Sequence, residues 1–312
     1  MTRTAFTEAR WPALSYAEWK DTLATVHLWT QMVGKIRLAR MPWLNHSWNV
    51  VLYVTARGLT TTPMPDGDRT FEIAFDFVEH ELGIVTSDGG KASLKLRPMS
   101  VAAFYRELMG RLRDVGITVD IRTMPCEIPD CIAFDEDETH ASYDAGHVNR
   151  YFRALEQADR VLKRFRSRFC GKSSPVHFFW GGFDLAVTRF SGRTAPKHAG
   201  GIPHMPNWVA QDAYSHEVAS LGFWPGADML PEPVFYAYAY PEPAGYAQAR
   251  VGPAGAYYHE ALREFVLPYD VVRQASDPDQ ALLAFAQSTY EAAANLAHWD
   301  RDALECEERL PR

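Results

Sequence analysis

One stretch of the chain, Ser174–Arg193, gathers residue types that acid–base chemistry and ligand binding use. Its sequence is SPVHFFWGGFDLAVTRFSGR, and it contains His177, Trp180, Asp184 and Arg189. An imidazole can act as a general base or a neutral metal ligand. A guanidinium can clamp a carboxylate or a phosphate with two hydrogen bonds. The stretch therefore predicts a site for a small polar ligand.

Three tyrosines alternate along a predicted strand, Val234–Tyr240, whose sequence is VFYAYAY. Successive side chains of a strand point to opposite faces, so Tyr236, Tyr238 and Tyr240 share one face and smaller residues share the other. Helices are expected on the small-residue face, which leaves the tyrosines to line a partly apolar pocket. A buried hydroxyl without a partner costs about 1–3 kcal/mol, which favours water or a ligand beside it. The alternative is that the tyrosines merely cover the sheet.

The segment YSHEV adds Tyr214, His216 and Glu217 to this predicted site. We take His216, Glu217 and His177 as the candidate catalytic residues, because a histidine beside a carboxylate can move a proton. The candidate ligand-binding residues are Trp180, Asp184, Arg189, Tyr214, Tyr236, Tyr238 and Arg57.

Other roles are open for the charged candidates. No metal site is predicted, because His177, His216 and their neighbours match no ligand spacing such as H-E-x-x-H. Both histidines can instead be neutral structural residues. Arg57 and Arg189 either bind a ligand anion or connect strand ends to acids such as Asp76.

Several functional classes are excluded or disfavoured by the sequence. It contains no G-x-S-x-G, Walker A or dinucleotide-binding glycine motif, so no organic cofactor is expected. A net charge of −7 argues against nucleic-acid binding. The N-terminus has no apolar signal region, no apolar run is long enough to cross a membrane, and the four cysteines fit no zinc spacing. These features predict a cytoplasmic protein with free thiols and no membrane partner.

The elements that must position these residues repeat along the 312-residue chain. Helical periodicity predicts four long helices, which start near Ser15, Ser100, Ala145 and Asp277. Strand-like segments follow the first and third of them. Ser47–Arg57 is one, and Thr70–Val78 is another, in which Phe71, Ile73, Phe75 and Phe77 alternate onto one face. Nine residues separate Trp48 from Arg57, and nine separate Trp180 from Arg189. The sequence therefore predicts an α+β fold of two tandem pseudo-repeats, each helix–antiparallel strands–helix, with halves at 1–116 and 145–312 and a connecting segment at 117–144.

Four smaller patterns carry expectations of their own. The polar stripe His27–Gln31–Lys35 on the first helix is expected to face solvent, or else to form one wall of a ligand site. The acids of Asp135–Glu138 are expected to be exposed and free of partners, the alternative being a cation site. Gly181-Gly182 indicates a bulge or a close approach of two backbones. The basic face of the third helix is expected to be solvated, although it could hold a phosphate.

The chain resembles a bacterial family that is catalogued only as a domain of unknown function. The stretches that carry the resemblance include HLWTQMVGKIRLA, LYVTARGLTT, RTFEIAFDF, FDEDETHASYD, SPVHFFWGGFDLAVTRFSGR, YSHEVASLGFWPG and QSTYEAAA. They span nearly the whole chain. The resemblance implies no activity, cofactor or catalytic residue.

Together these patterns predict a small-molecule-binding protein. The leading interpretation is an enzyme that uses histidine–carboxylate acid–base chemistry without an organic cofactor. The alternative is a non-catalytic ligand-binding or interaction protein. A histidine within hydrogen-bond reach of a carboxylate at the site would favour the enzyme, and a flat exposed tyrosine face would favour an interaction protein.

Overall fold

The computed structural model describes residues 10–307, in which seven helices and two six-stranded antiparallel sheets form the α+β fold that was predicted. The helices are α1 (Tyr16–Arg40), α2 (Val101–Asp114), α3 (Ala145–Ser167), α4 (Asn207–Ala213), α5 (Tyr269–Arg273), α6 (Pro278–Leu296) and α7 (Arg301–Leu304). The first sheet contains β1 (Tyr53–Val54), β2 (Gly58–Thr60), β3 (Met64–Asp66), β4 (Arg69–Asp76), β5 (Glu81–Thr86) and β6 (Lys91–Lys95). The second contains β7 (His177–Phe179), β8 (Asp184–Thr194), β9 (His216–Trp224), β10 (Val234–Tyr240), β11 (Tyr257–His259) and β12 (Glu264–Pro268).

The four long helices begin within one residue of their predicted starts, although the Ser15 side chain before α1 makes no capping hydrogen bond. The carboxylates of Asp144 and Asp277 accept the backbone N–H groups of His147 and Gln280, and the Ser100 hydroxyl accepts that of Ala103. Such bonds satisfy backbone donors that the first helical turn leaves unpaired. None of the helices in residues 10–307 is long and apolar enough to cross a membrane.

The strands of the first sheet follow the order β1-β2-β4-β5-β6, with β3 also paired to β4. Phe71, Ile73 and Phe75 alternate into the core from β4, as their spacing predicted. The predicted strand Ser47–Arg57 is wrong for most of its length. Only its residues in β1 pair as a strand, and the preceding residues form a 3-10 turn.

The second sheet has the order β11-β12-β10-β9-β8-β7, with every neighbouring pair antiparallel. Strand β10 spans the predicted Val234–Tyr240 without a shift. Leu52 and Phe178 exchange two backbone hydrogen bonds of 2.9 Å, which connect the two sheets at β1 and β7. Buried apolar residues of both predicted halves form one cluster, and the domain boundaries at 116/117 and 144/145 remain predictions.

Helix α1 is buried on nearly all sides, so the expectation that its polar stripe faces solvent is wrong. The Gln31 amide bonds with both the N–H and the C=O of Cys126, at 2.9 Å each. Nearby, the Lys35 ammonium donates to the carbonyl of Met124 at 2.8 Å. The stripe therefore holds the segment at Met124–Glu127 against the helix. We call residues 124–127 the strap.

The proposed internal repeat is not confirmed. Trp48 lies in a turn before β1, whereas Trp180 lies in the turn between β7 and β8. Arg57 is exposed next to β2, whereas Arg189 is completely buried in the middle of β8. The equal tryptophan–arginine spacings therefore do not mark equivalent positions.

The acidic connecting segment differs from its prediction at Asp137, which is 1% exposed. Its carboxylate accepts the N–H groups of Thr139 and His140 at 3.0 and 3.1 Å and bonds with the His140 Nδ1 at 2.7 Å. This carboxylate is buried because it closes a turn. Asp135, Glu136 and Glu138 are exposed, as expected, but Glu138 is not free of partners, because it pairs with Arg106 at 3.4 Å.

Candidate functional site

The second sheet has one face toward the helices and one face directed away from them. Phe235 and Ala237 of β10 are buried on the helix side, where α6 packs. Tyr236 and Tyr238 alternate with them and are half-buried on the opposite face, with parallel rings 6.2 Å apart. The Tyr238 hydroxyl shares a hydrogen bond of 3.0 Å with that of Tyr214, which precedes β9. The face predicted from the VFYAYAY alternation is thus formed.

Asp184 begins β8 and accepts a short hydrogen bond from the Tyr236 hydroxyl. Burial raises the pKa of Asp184 to about 6, although the bond from Tyr236 acts in the opposite direction. Burial, followed by the charge of Asp184, holds the pKa of Tyr236 well above its usual range. The pair therefore combines a carboxyl that titrates near neutral pH with a phenol that keeps its proton.

The strap brings a second carboxyl, that of Glu127, to the turn before β8. The Glu127 backbone has a φ of 65°, and its N–H donates to the carbonyl of Pro203 at 2.9 Å. Its carboxyl approaches Gly181 so closely that a Cβ built there would lie 1.8 Å from Oε1. A Cβ on Gly182 would lie 2.9 Å from Asp184 Oδ1 and 3.7 Å from Glu127 Oε2, so both carboxyls border the same point. The two glycines therefore make room for side-chain carboxyls, and the predicted close approach of a second backbone is not what is found there.

A third carboxyl, that of Glu264, lies at the start of β12 on the same side of the sheet. Burial and then the charge of Asp184 raise the pKa of Glu264 to about 7. The same two causes raise the pKa of Glu127 to about 7. Because the Glu127 side chain is exposed to solvent, we attribute its raised pKa mainly to the like charge of Asp184.

The three carboxyls and the tyrosines form one group. Burial, together with the charges of all three carboxyls, raises the pKa of Tyr214 to about 12, against the effect of its bond to Tyr238. We call this group the carboxyl–tyrosine cluster, which consists of Glu127, Asp184, Glu264, Tyr214, Tyr236 and Tyr238. Within residues 10–307 none of its carboxyls forms an ion pair with a lysine or arginine.

The cluster does not have the geometry of a metal centre. Among the described residues, no group of three or more His, Cys, Asp and Glu side chains is arranged to hold a metal ion. Two strands, β10 and β9, lie between Glu264 and Asp184, so the three carboxyls are too widely placed to share one small cation. They can interact with a larger ligand that carries separated positive charges.

His27 of α1 lies on the other side of the same turn, with Nε2 2.8 Å from the carbonyl of Gly181. Burial lowers the pKa of His27 to about 4, so its ring is neutral at pH 7. The carbonyl accepts, which places the ring proton on Nε2. His27 thus supports the Gly181 turn from behind.

The predicted catalytic pair His216 and Glu217 is not brought together. The two residues are adjacent in β9, so their side chains point to opposite faces. The Glu217 carboxylate accepts two bonds from Arg193, at 2.7 and 2.9 Å. The His216 ring lies 5.9 Å from that of His46.

The third candidate catalytic residue, His177, is 1% exposed and packs against the rings of Trp48, Tyr53 and Phe179. Burial, with the charges of Arg166 and Arg37, lowers the pKa of His177 to about 3. A proton acceptor at neutral pH is not expected at such a position. His177 is a neutral core residue, as in the structural alternative.

Two candidate ligand-binding residues serve packing instead. Trp180 is 5% exposed, and its Nε1 donates to the carbonyl of Val50 at 2.6 Å. A Cβ on Gly34 of α1 would lie 2.2 Å from that nitrogen, so the helix passes directly against the indole. Arg57 lies on the surface, and its Nε is 2.5 Å from Asp76 Oδ2. The strand-end alternative for Arg57 is confirmed.

Arg189 lies on the wrong face of β8 for the predicted site. It is five residues from Asp184, so its side chain points to the helix side. The guanidinium lies 3.6 Å from the ring centroid of Phe165 and 4.3 Å from that of Tyr290, and it donates to the carbonyl of Phe165. Burial lowers the pKa of Arg189 to about 10. Arg189 is therefore a core residue that solvent does not reach.

Sequence reasoning therefore found Asp184, Tyr214, Tyr236 and Tyr238 of the cluster but missed Glu127 and Glu264. Glu127 stands between two cysteines in PCEIPDC, a segment with no regular periodicity. Glu264 has no residue beside it in the sequence that indicates a site. The double glycine was the one usable signal, although it predicted a bulge or a second backbone at the turn rather than a carboxyl.

Comparison with known proteins gives a family and no activity. A family model described as "Family of unknown function (DUF5996)" matches residues 11–306. The chain therefore belongs to this family, in agreement with the resemblance of its motifs. No curated protein and no solved structure matches the sequence.

Proposed function

We propose that this member of a family without an assigned function binds a small organic amine at the carboxyl–tyrosine cluster. The observation that carries the proposal is a set of three carboxyls on one side of the sheet, each with a raised pKa and none paired with a basic side chain in residues 10–307. Like charges at short range destabilise one another, and a positively charged ligand removes that cost. An amine with two or more charges matches carboxyls that are too widely placed for one metal ion.

The tyrosines suit the same ligand. The rings of Tyr236 and Tyr238 are half-buried, so they present both an aromatic surface and a hydroxyl. A cation over an aromatic ring gains about 0.5–2 kcal/mol, depending on its desolvation. The methylene groups of a polyamine would cover the rings while its ammonium groups approach Asp184 and Glu264.

Calorimetric titration with spermidine tests the proposal, with 1,4-butanediol as an uncharged control. We expect saturable spermidine binding that weakens as potassium chloride is added. Asp184→Asn and Glu264→Gln should each weaken it at least tenfold. Glu217→Gln is the matched control, because Glu217 lies on the same sheet but pairs with Arg193 outside the cluster. No binding, or equal binding by all the variants, would refute the proposal.

Protons provide a second readout. An ammonium ion beside the carboxyls lowers their pKa values, so binding at pH 7 should release protons from Glu127 and Glu264. Titrations in buffers with different ionisation enthalpies should therefore give different apparent heats. Buffer-independent heats would argue against binding at these carboxyls.

A second candidate function is acid–base catalysis on such an amine. It is favoured by the hydrogen bond between Asp184 and Tyr236 and by carboxyls whose pKa values lie near 6 and 7. A general acid or base is most effective when its pKa is near the working pH. In this candidate function a carboxyl and a tyrosine would transfer the proton, in place of the histidine and carboxylate that the sequence suggested.

Mass spectrometry of bound amines after incubation separates the two candidates. An unchanged ligand indicates a binding protein. Conversion that is lost in Asp184→Asn, with a pH–rate profile that changes near pH 6 and pH 7, indicates an enzyme.

A further inference from the structure

A pocket of about 440 Å³ lies away from the cluster, between the end of α3 and the segment that pairs with the middle of β8. The described residues that line it include three basic side chains and no acidic one. They are Trp48, Lys163, Arg166, Ser167, Phe169, Gly171, Lys172 and Ser173. We call this site the basic pocket. A positive site of this kind stands out on a chain whose net charge is −7.

Aromatic groups hold one of the cations in place. The Lys172 ammonium lies 5.3 Å from the ring centroid of Trp48 and 4.9 Å from that of Phe190. It also bonds with the Nε2 of His46 at 2.8 Å. Burial lowers the pKa of Lys172, and the charge of Asp212 acts in the opposite direction without forming an ion pair with it. The ammonium is therefore oriented by these contacts and remains available to an anion.

Arg166 supplies a second available charge. Its guanidinium forms no ion pair with a carboxylate anywhere in residues 10–307. Lys163, in contrast, bonds with Asp159 at 2.5 Å. The basic face of α3 is therefore partly ion-paired, as expected for a solvated surface. Arg166, which lines the basic pocket, is without an ion pair in residues 10–307.

The helix end alone does not explain this arrangement. A cation in the last turn interacts favourably with the helix dipole, which accounts for an arginine at Arg166. Lys172, however, follows α3, and its backbone carbonyl accepts the N–H of Phe190 at 3.0 Å. Its position is determined by the sheet edge and by the aromatic rings.

We propose that the basic pocket binds the phosphate group of a small phosphomonoester. Arg166 offers paired N–H donors that fit phosphate oxygens, and Lys172 offers a held point charge. The half-buried Trp48 indole beside them provides a wall for a planar or apolar group attached to the phosphate. The hydroxyl of Ser173 is a further donor on the pocket wall.

This site is separate from the carboxyl–tyrosine cluster. Lys172 pairs beside Phe190, six residues along β8 from Asp184, which is about 20 Å in an extended strand. The proposal therefore does not depend on amine binding, and each can fail without the other.

Titration with inorganic phosphate and with phenyl phosphate, at constant ionic strength maintained by potassium chloride, tests the proposal. We expect both anions to bind and to raise the thermal midpoint, and phenyl phosphate to bind at least threefold more tightly. Arg166→Gln and Lys172→Gln should each weaken both at least tenfold. Trp48→Leu should remove the advantage of phenyl phosphate while inorganic phosphate still binds.

Arg97→Gln is the control, because Arg97 is another exposed arginine, which pairs with Glu107. It should bind both anions as the unmodified chain does. Equal binding by Arg166→Gln, or no binding of either anion above that of chloride, would overturn the proposal. If Lys172→Gln loses its fold by circular dichroism, Arg166→Gln decides the question, because its exposed side chain makes no structural ion pair.

Discussion

On the open face of the first sheet, two acidic side chains pair with basic residues, and Glu72 accepts a hydrogen bond from the Thr60 hydroxyl at 2.5 Å. Asp76 pairs with Arg57 at 2.5 Å, and Glu81 pairs with Lys95 at 2.7 Å. Burial would raise the pKa of Asp76, but the bond from Arg57, with others, holds it below its usual value. The hydrogen bond from Lys95 lowers the pKa of Glu81. These carboxylates are charged and compensated.

On the open face of the second sheet, the carboxyls of the carboxyl–tyrosine cluster pair with no lysine or arginine in residues 10–307. Glu127 and Glu264 each have a pKa raised by burial and by the charge of Asp184. Both sheets are antiparallel and both faces are partly solvated, so sheet architecture does not explain the contrast. The difference lies in the missing basic partners, which is why we assign ligand binding to the second sheet.

The buried face of the second sheet contains a third arrangement, a charged side chain that is enclosed in the core. Arg189 is enclosed by aromatic rings and a backbone carbonyl, with no exposure to solvent. A completely enclosed cation cannot meet a ligand. Charge on the helix side is thus structural, and charge on the open side is available.

Arg189→Ala should produce the largest effect and sharpen this distinction. Loss of the side chain leaves a cavity among Phe165, Phe169 and Tyr290 and removes their cation contacts. We expect the free energy of unfolding, measured with urea, to fall by about 3–5 kcal/mol. Arg189→Met keeps most of the volume and should cost about 1 kcal/mol. If Arg189→Met binds spermidine more weakly than the unmodified chain, the assignment of Arg189 to structure alone is wrong.

Gly181→Ala tests whether the strap must bring Glu127 to the turn. The new methyl group would meet the end of a flexible carboxyl side chain, which can move away. We expect at least a tenfold loss of spermidine affinity and a change of less than about 1 kcal/mol in unfolding free energy. Gly83→Ala is the control, since a Cβ there meets nothing within 4 Å. Unchanged affinity in Gly181→Ala would exclude Glu127 from the ligand site.

Glu264→Gln and Asp76→Asn should change stability in opposite directions. A raised pKa means that the folded chain binds the Glu264 proton more tightly, so stability is lost as pH rises from about 4.5 through 7. Glu264→Gln should therefore stabilise the fold by about 1–2 kcal/mol at pH 8 and by much less at pH 4. Urea unfolding at the two pH values gives the measurement.

For Asp76 of the first sheet, stability should change with pH in the opposite direction. The pKa of Asp76 is lowered in the fold, so its contribution is present above the unfolded pKa and is lost as pH falls. Asp76→Asn should cost about 0.5 kcal/mol at pH 8, as expected for a solvated ion pair. If both variants change stability in the same direction, the contrast between the sheets is incorrect.

His216→Ala should have the smallest effect. The residue is on the open face, but it lies near His46 rather than at the carboxyl–tyrosine cluster. We expect changes of less than about 0.5 kcal/mol in unfolding free energy and less than twofold in spermidine affinity. A strong loss of affinity with an unchanged thermal midpoint would restore His216 to the ligand site.

Local periodicity in the sequence determined which side chains share a face. The alternation of VFYAYAY predicted the two faces of β10, and the apolar alternation of β4 predicted Phe71, Ile73 and Phe75 in the core. Helical periodicity predicted the start of α6 near Asp277. These features depend on neighbours in the chain, and backbone geometry makes them readable without the fold.

The tertiary structure alone decided which charges meet. Glu264 and Asp184 share one face of the sheet because β12, β10, β9 and β8 follow one another in that order, and Glu127 reaches the turn beside Asp184 because Gln31 and Lys35 hold the strap. Spacing along the chain contains neither the strand order nor the path of the strap. For the same reason the sequence could not predict the role of Arg189. Its residue type suggested a ligand clamp, but the helices that pack on its face of β8 enclose it.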